Sequence, residues 1–161
     1  MNILIIDDNR QITSLLSKIL INEGYDVISS NSFEDGLKKF KEGNFDIMMM
    51  DAPMPGYEKL SVIAELEKID MLQSNKIILF TGLEISDSIV MDLKTKGLYS
   101  YLKKPLEIEK LLVELSSVPL IGNSELTQKR ISEDLTKEKF DDLRSNLSSL
   151  KQKLSTPISQ K

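Results

Sequence analysis

Residues 3–9 of the chain read ILIIDDN, a run of four apolar residues followed directly by two aspartates. A similar arrangement recurs at residues 47–51, which read IMMMD, and at residues 77–81, which read IILFT. Apolar runs of this length, each ended by a charged or hydroxylic residue, are typical of strands buried inside a sheet. The three segments therefore predict the centre of a β-sheet, with polar side chains where the strands end.

Two further short runs predict the remaining strands of the same sheet. The five predicted strands span residues 3–6, 26–28, 47–50, 77–80 and 99–102. Between and after them, apolar residues recur with the periodicity of a helix. The predicted helices span residues 10–22, 33–42, 58–69, 86–95 and 106–117. Glycines at positions 24, 43 and 97 follow three of these helices, where a left-handed cap would end them.

Strands that alternate with helices predict a parallel sheet, because the connections between parallel strands are right-handed crossovers that place helices on both faces. We therefore expect an α/β fold with a doubly wound five-stranded parallel sheet. In such sheets, ligands bind beyond the carboxyl ends of the strands. Candidate functional residues should accordingly be sought where the predicted strands end.

The composition excludes several classes of site. The 161 residues include neither cysteine nor histidine. A disulfide framework, a zinc site of thiolates or imidazoles and a Ser-His-Asp triad are therefore excluded. Any chemistry must come from carboxylates, lysines, hydroxyls and a bound metal ion.

Charge and hydropathy bear on partners and location. The formal net charge of −4 argues against nonspecific binding to nucleic acid. No stretch approaches the roughly 20 apolar residues that a membrane span needs. The amino terminus also lacks the basic start of a secretory signal. We therefore expect a cytoplasmic protein without a membrane partner, and we do not expect nonspecific binding to nucleic acid.

The residues at the predicted strand ends are charged or hydroxylic. They are Asp7 and Asp8, Ser29, Asp51, Thr81, and Lys103 with Lys104 before Pro105. Two carboxylates about 4 Å apart repel each other by roughly 4 kcal/mol, so a cluster of three favours a divalent cation. A ligand set made only of oxygens suits Mg²⁺ and does not suit zinc. The strand ends therefore predict a site for magnesium and a phosphoryl group.

Four stretches, in this order along the chain, resemble the receiver domain of two-component response regulators. They are IIDDN at residues 5–9, MDAPMPG at 50–56, ILFTG at 78–82 and YLKKP at 101–105. The resemblance covers residues 1–118. It implies a flavodoxin-like sheet with strand order 2-1-3-4-5.

The resemblance also implies a phosphorylated switch with at most slow self-dephosphorylation, rather than an enzyme. Asp51 would accept a phosphoryl group from a histidine kinase or a phosphotransfer protein. Asp7, Asp8, Asp51 and the backbone carbonyl of Pro53 would hold Mg²⁺, directly or through water. The cofactor expected for this chain is therefore magnesium.

Three further residues match positions of the receiver pattern. As the switch hydroxyl, Thr81 would donate a hydrogen bond to the phosphoryl group, and Lys104 would pair electrostatically with the same phosphoryl group. Tyr101 matches the aromatic residue that turns inward in the active state. The peptide bond between the matching lysine and Pro105 is usually cis in this family. Lys103 would then be a neighbour at the surface.

The sequence departs from the receiver pattern at two positions. Lys59 occupies the place of a common glycine, which predicts a reshaped turn before the third helix. Gly82 replaces the alanine that commonly follows the switch threonine, which predicts a more open pocket that admits water more readily.

Each residue also has a simpler interpretation. Asp7 and Asp8 would cap the first helix, since aspartate is favoured at that position. Asp51 would merely end a strand, Thr81 would lie in a turn, and the two lysines would form a solvated face. These interpretations must hold independently at every strand end, whereas one shared site explains all of them.

Two enzyme classes fail on particular residues. A P-loop or a dinucleotide fold needs glycines directly after the first strand, and DDNRQ at residues 7–11 contains none. A haloacid-dehalogenase-like phosphatase needs a second aspartate two residues after its nucleophile. In this chain Pro53 occupies that place.

The last part of the chain predicts an appendage to the receiver. Residues 119–124 would form a linker, and residues 125–161 a helical tail with a frayed end. A coiled-coil spacing of three and four residues joins Phe140, Leu143, Leu147, Leu150 and Leu154. The tail would dimerise, dock on the receiver or bind a partner, and the sequence leaves these alternatives open.

We expect the output to be protein contact. Phosphorylation would alter the face around helix 86–95, strand 99–102 and helix 106–117, through which a homodimer would form, or the tail would pair instead. An output-free phosphate sink, an unphosphorylated scaffold with the receiver fold, and DNA binding through the tail remain alternatives.

Overall fold

The structure is a computed structural model, and it describes residues 1–118. Within these residues, Met1–Glu114 form one compact unit. The predicted linker 119–124 and tail 125–161 lie outside the described residues, so the coiled coil stays a prediction. Among the described residues, no helix is both long and apolar enough to cross a bilayer.

Strands and helices alternate along the described part of the chain, except that two helices lie between the third and the fourth strand. The strands are β1 (Asn2–Ile6), β2 (Asp26–Ser30), β3 (Ile47–Met50), β4 (Ile77–Thr81) and β5 (Ser100–Lys103). The helices are α1 (Arg10–Asn22), α2 (Phe33–Glu42), α3 (Ser61–Lys68), α4 (Met71–Ser74), α5 (Asp87–Thr95) and α6 (Ile108–Ser116). All five predicted strands are present, and each of the five predicted helices has its counterpart.

The five strands form one parallel sheet in the order β2-β1-β3-β4-β5, as predicted. The three inner strands are buried apart from Asn2, because helices cover both faces of the sheet. β2 lies at an edge and alternates between exposed and partly buried residues up to the buried Ser30, with Ile28 50% exposed. All five strands therefore direct their carboxyl ends toward the same edge of the sheet.

The core on one side of the sheet joins residues of β1, β3 and β4 with α2, α3 and α4. Leu4, Met48 and Leu79 are fully buried there, and they pack with Leu66 of α3 and Leu72 of α4. Burial of one such side chain contributes about 1.5 to 3 kcal/mol. The core therefore holds the strand ends in a fixed arrangement.

The third helix is shorter than predicted. It spans Ser61–Lys68 and not residues 58–69, because a residue with left-handed backbone precedes it and another follows it. Lys59 has φ +45° and Asp70 has φ +55°, and such residues cannot continue a right-handed helix. The short helix α4, which the sequence did not predict, begins directly after Asp70.

Of the three predicted glycine caps, two are left-handed. Gly24 has φ +84° and Gly97 has φ +111°. A methyl group on Gly97 would lie 2.6 Å from the carbonyl oxygen of Leu72, so this position requires glycine for space as well. Gly43 ends α2 as predicted and is its C-cap, but the prediction of a left-handed conformation was wrong, because its backbone is extended, with φ −106° and ψ 170°.

Replacing Lys59 with glycine is expected to stabilise the protein. Lysine carries the left-handed strain at this position, whereas glycine adopts the same backbone freely. Glycine also loses more entropy on folding, so the expected net gain in unfolding free energy is about 0.5 to 1 kcal/mol. Urea unfolding of Lys59→Gly measures this gain. Lys38→Gly, within the helix α2, should lower the unfolding free energy by about 1 kcal/mol in the same assay. A lower unfolding free energy in both variants would contradict backbone strain at Lys59.

Candidate functional site

Three carboxylates meet at the carboxyl edge of the sheet. Asp7 and Asp8 follow β1, Asp51 follows β3, and each offers an oxygen within 4.8 Å of the others. Asp7 and Asp51 are buried, whereas Asp8 is exposed. We call these three residues the acidic pocket.

The position of Asp7 follows from the β1 strand. Its backbone N–H donates to the carbonyl of Ser30 at 3.2 Å, which continues the pairing with β2 by one step. Its Oδ1 accepts a hydrogen bond from the backbone N–H of Asn9 at 2.8 Å. The carboxylate is completely buried, so it needs hydrogen-bond partners such as the Asn9 N–H.

The helix that follows is capped by a different residue. Asn9 is the N-cap of α1, and its side chain accepts hydrogen bonds from the backbone N–H groups of Gln11 and Ile12. The simpler interpretation of Asp7 and Asp8 as helix caps is therefore wrong. Within the described residues, the Asp8 carboxylate has neither a hydrogen bond nor an ion pair, and it is available to a ligand.

Lys104 joins the acidic pocket from the end of β5. Its Nζ lies 2.7 Å from Asp7 Oδ2 and 2.6 Å from Asp51 Oδ2, and 4.8 Å from the ring centroid of Phe80. The side chain is only 19% exposed. One ammonium group therefore bridges two buried carboxylates, which balances part of their charge.

The two neighbouring lysines have different environments. Lys103 points to the surface, with its side chain 56% exposed, and pairs with the exposed Glu84 at 3.0 Å. The solvated-face interpretation thus fits Lys103 and does not fit Lys104.

Burial raises the pKa of Asp51 above its ordinary value. The Lys104 ammonium and the backbone N–H of Ala52, which donates to Oδ1 at 2.7 Å, oppose this rise, whereas the charge of Asp7 adds to it. Ionised Asp51 is therefore held in an unfavourable environment that further positive charge would relieve. The three carboxylate oxygens are ligands that suit a hard divalent cation such as Mg²⁺.

Thr81 ends β4 and is fully buried. Its hydroxyl donates to the carbonyl of Ala52, and its oxygen accepts from the N–H of Leu83 at 3.1 Å. The hydroxyl of the half-buried Tyr101 donates to the carbonyl of Leu83 at 3.4 Å. The backbone N–H and carbonyl of Leu83 thus connect Thr81, which lies beside Asp51, with Tyr101 of β5.

Pro53 lies on the loop after Asp51, and its side chain is exposed. The Ala52–Pro53 and Lys104–Pro105 peptide bonds are both cis. The second agrees with the geometry that the receiver resemblance implies. The role of the Pro53 carbonyl toward a metal ion stays a prediction.

Sequence reasoning did not identify Asn31, whose side-chain amide donates to the backbone carbonyl of Asp7 at 2.8 Å. The prediction ended β2 at Ile28 and placed Ser29 at its end, whereas the strand runs to Ser30. The rule that found the other strand ends would have reached Asn31 from the correct end. The carbonyl of Ser29 accepts a hydrogen bond from Lys39 Nζ at 3.1 Å.

Comparisons with known proteins agree with this geometry. A family model described as response regulator receiver domain matches residues 3–116. The Bacillus subtilis protein YkoG, an uncharacterized transcriptional regulatory protein, is 34% identical over 146 residues, which are 90% of this chain and 60% of YkoG. The chain therefore spans less than two thirds of that relative.

Solved structures resemble the described fold over most of its length. The response regulator TrrA from Thermotoga maritima, solved in complex with Mg²⁺ and BeF, is 32% identical with a TM-score of 0.59. The alignment covers 73% of this chain and 97% of TrrA. The beryllofluoride-activated NtrC4 receiver domain dimer is 29% identical with a TM-score of 0.62, over 73% of this chain and 94% of that one.

Proposed function

The chain belongs to the response regulator receiver domain family, and from that membership we propose that Asp51 accepts a phosphoryl group from a histidine kinase in a reaction that requires Mg²⁺. A receiver domain is a signalling switch and not a classical enzyme, and it implies a histidine kinase partner. Receiver domains are typically cytoplasmic, and we propose that location here. The observation that carries the proposal is the convergence of Lys104 with the three carboxylates of the acidic pocket.

The proposed chemistry is a transfer between a phosphohistidine and a carboxylate. A carboxylate oxygen of Asp51 forms a bond to phosphorus while the bond between phosphorus and the imidazole nitrogen breaks, and the nitrogen keeps that electron pair. When bound, Mg²⁺ would neutralise carboxylate and phosphoryl oxygens. Asp7 and Asp8 are the proposed further ligands, with the carbonyl of Pro53.

Lys104 would stabilise the charge that builds up on the transferred group. Its ammonium is held at Asp51 Oδ2, so it stands beside the reacting carboxylate before a donor arrives. A charged group that is already in place, such as this ammonium, needs little rearrangement in the transition state. Lys104 would therefore act as the fixed positive charge of the reaction.

Thr81 and Tyr101 would transmit the state of Asp51 to the surface. The Thr81 hydroxyl is bonded to the carbonyl of Ala52, next to Asp51, and would change its partner to a phosphoryl oxygen. The backbone of Leu83 is hydrogen-bonded to both Thr81 and Tyr101. A new partner for the Thr81 hydroxyl would therefore alter the hydrogen bond between Tyr101 and Leu83.

The proposal is tested by intact-mass measurement after incubation with a small-molecule acyl phosphate. A gain of one phosphate with Mg²⁺, and none when EDTA removes the cation, is the expected result. No gain under either condition would favour the unphosphorylated scaffold.

We propose protein contact as the output. On α5, Ile89 is 44% exposed and Met91 is 68% exposed, and Val113 of α6 is 59% exposed. These side chains would form part of the contact, and the NtrC4 receiver forms a dimer when activated by beryllofluoride. Light scattering with Mg²⁺ and beryllofluoride separates a dimerising switch, whose mass increases, from an output-free sink, whose mass does not. The DNA-binding alternative depends on residues 125–161.

Replacing Gly82 with alanine is expected to lengthen the life of the phosphorylated form. Gly82 is exposed beside Thr81, and an added methyl group meets no atom within 4 Å, so the variant should fold normally. The methyl group would hinder water on its way to the phosphoryl group. The expected slowing is up to about tenfold, or about 1.4 kcal/mol in the barrier. A dephosphorylation time course measures it, and equal lifetimes in the two proteins would remove the support for an open pocket.

A further inference from the structure

Asn31 lies directly after β2 and connects it with both β1 and α1. Its Nδ2 donates to the backbone carbonyl of Asp7 at 2.8 Å and lies 3.2 Å from the hydroxyl oxygen of Thr13. Thr13 is buried, with its hydroxyl donating to the carbonyl of Arg10 in the first turn of α1. The Asn31 amide thus connects the end of β2, the end of β1 and the helix α1 by hydrogen bonds next to Asp7 of the acidic pocket.

The Asn31 side chain replaces a missing step of the β-ladder. Ile6 is paired with Ser30, and the N–H of Asp7 donates to the Ser30 carbonyl, so the next backbone donor in register would be the N–H of Ser32. Ser32 is instead the N-cap of α2, and its N–H faces the hydroxyl of Ser30. The chain has left the sheet at this point, and the amide of Asn31 supplies the donor that the Asp7 carbonyl needs.

This carbonyl belongs to the peptide unit that joins Asp7 to Asp8. Asp7 is held at its carboxylate by Asn9 and Lys104, but the Asp8 carboxylate has no partner among the described residues. The direction of the Asp8 side chain therefore depends on the orientation of its backbone. The hydrogen bond from Asn31 restrains the plane of that peptide unit.

We propose that Asn31 is a positioning residue for the cation site, which orients Asp8 through the Asp7–Asp8 peptide. The proposal rests on the proposed function, since it assumes that Asp8 is a ligand of Mg²⁺. Asn31 itself does not touch the cation. Groups that orient metal ligands by hydrogen bonds affect metal affinity even though they make no contact with the ion.

The experiment compares two asparagines that make the same kind of hydrogen bond. Asn75 Nδ2 donates to the backbone carbonyl of Met71 at 3.0 Å, and both bonds are partly buried. Asn75 precedes β4 and so lies at the opposite edge of the sheet. Asn75→Ala is therefore a matched control for Asn31→Ala in the loss of one amide-to-carbonyl bond.

Titration with Mg²⁺ alone, followed by calorimetry, provides the decisive readout. We expect Asn31→Ala to raise the dissociation constant for Mg²⁺ about tenfold and Asn75→Ala to leave it unchanged. Urea unfolding in EDTA should show a similar decrease of the midpoint for both variants. A purely structural role of Asn31 predicts the same decrease without any difference in Mg²⁺ affinity.

The possible failures are distinguishable. If the wild-type protein binds no Mg²⁺, the proposed function is overturned. If the wild-type protein binds Mg²⁺ and Asn31→Ala binds it equally well, only the positioning role is overturned. Should Asn31→Ala fail to fold, Asn31→Ser is titrated in its place. Its hydroxyl is one atom shorter than the amide, so the same loss of affinity is expected and an unchanged affinity again overturns the role.

Discussion

Replacing Asp51 with asparagine is expected to reduce phosphorylation by an acyl phosphate to less than about one thousandth of the wild-type rate. An amide oxygen is a far weaker nucleophile than a carboxylate, and no other carboxylate of the acidic pocket occupies the same place. Intact mass against time, at saturating Mg²⁺, measures the effect. Asp26→Asn is the control, because Asp26 begins β2 at the opposite edge of the sheet and should leave the rate unchanged.

The same substitution should change stability with a defined dependence on pH. Burial raises the pKa of Asp51 above its ordinary value of 3.8, so the folded state binds this proton more tightly than the unfolded state. The resulting stabilisation is present below pH 3.8 and is lost as the pH rises through the folded pKa. Without Mg²⁺, Asp51→Asn should therefore be more stable than wild type at neutral pH, and the difference should shrink on acidification.

Urea midpoints in EDTA at several pH values test the linkage. A variant that is less stable than wild type at neutral pH would show that the Lys104 pairing outweighs burial.

Retention of phosphate by Asp51→Asn would place the acceptor elsewhere, and peptide mapping would then locate it.

Replacing Lys104 with methionine is expected to lower the unfolding free energy by about 3 kcal/mol in EDTA. The change leaves Asp7, which is completely buried, beside Asp51 without the ammonium group that bridges them. Methionine is similar in length and can keep the contact with Phe80. Urea unfolding measures the loss.

A divalent cation should reverse much of this loss. Without the ammonium at Asp51 Oδ2, Mg²⁺ meets less positive charge, so Lys104→Met should bind it more tightly than wild type. The stability difference should therefore narrow at millimolar Mg²⁺. Phosphorylation should still be slower, because the fixed positive charge beside the acceptor is gone.

The neighbouring lysine is the matched control. Lys103 pairs with Glu84 at the surface, and exposed pairs of this kind contribute about 0 to 1 kcal/mol. Lys103→Met should therefore have a small effect that Mg²⁺ does not alter. Equal losses in both variants, or a Lys104→Met loss that is independent of Mg²⁺, would contradict the bridging role.

Helix limits could be predicted where local signals agreed. The helix α1 has the predicted limits, with its apolar stripe followed by the left-handed Gly24. The limits of α3 could not be predicted, because the positive φ angles of Lys59 and Asp70 do not show in a pattern of apolar residues. A helix of four residues such as α4 is too short to produce a periodicity at all.

The candidate site could be predicted where an inner strand ends. Apolar runs end sharply at Asp51 and Thr81, because these strands are buried on both faces. The edge strand β2 is half exposed, so its polar residues conceal where it ends, and Asn31 was missed for that reason. The end of β2 could therefore be located only from its pairing with β1.

The order of residues within short stretches of sequence was sufficient to predict the alternation of strands with helices and the residue types at the strand ends. Both produce a periodic or abrupt change of hydropathy within a few residues. The contacts among those residues needed the assembled sheet. Lys104 reaches Asp7 across 97 positions of sequence, and Asn31 reaches it across 24. Such contacts depend on which strands become neighbours and on how deeply each side chain is buried, and packing of the whole domain sets both.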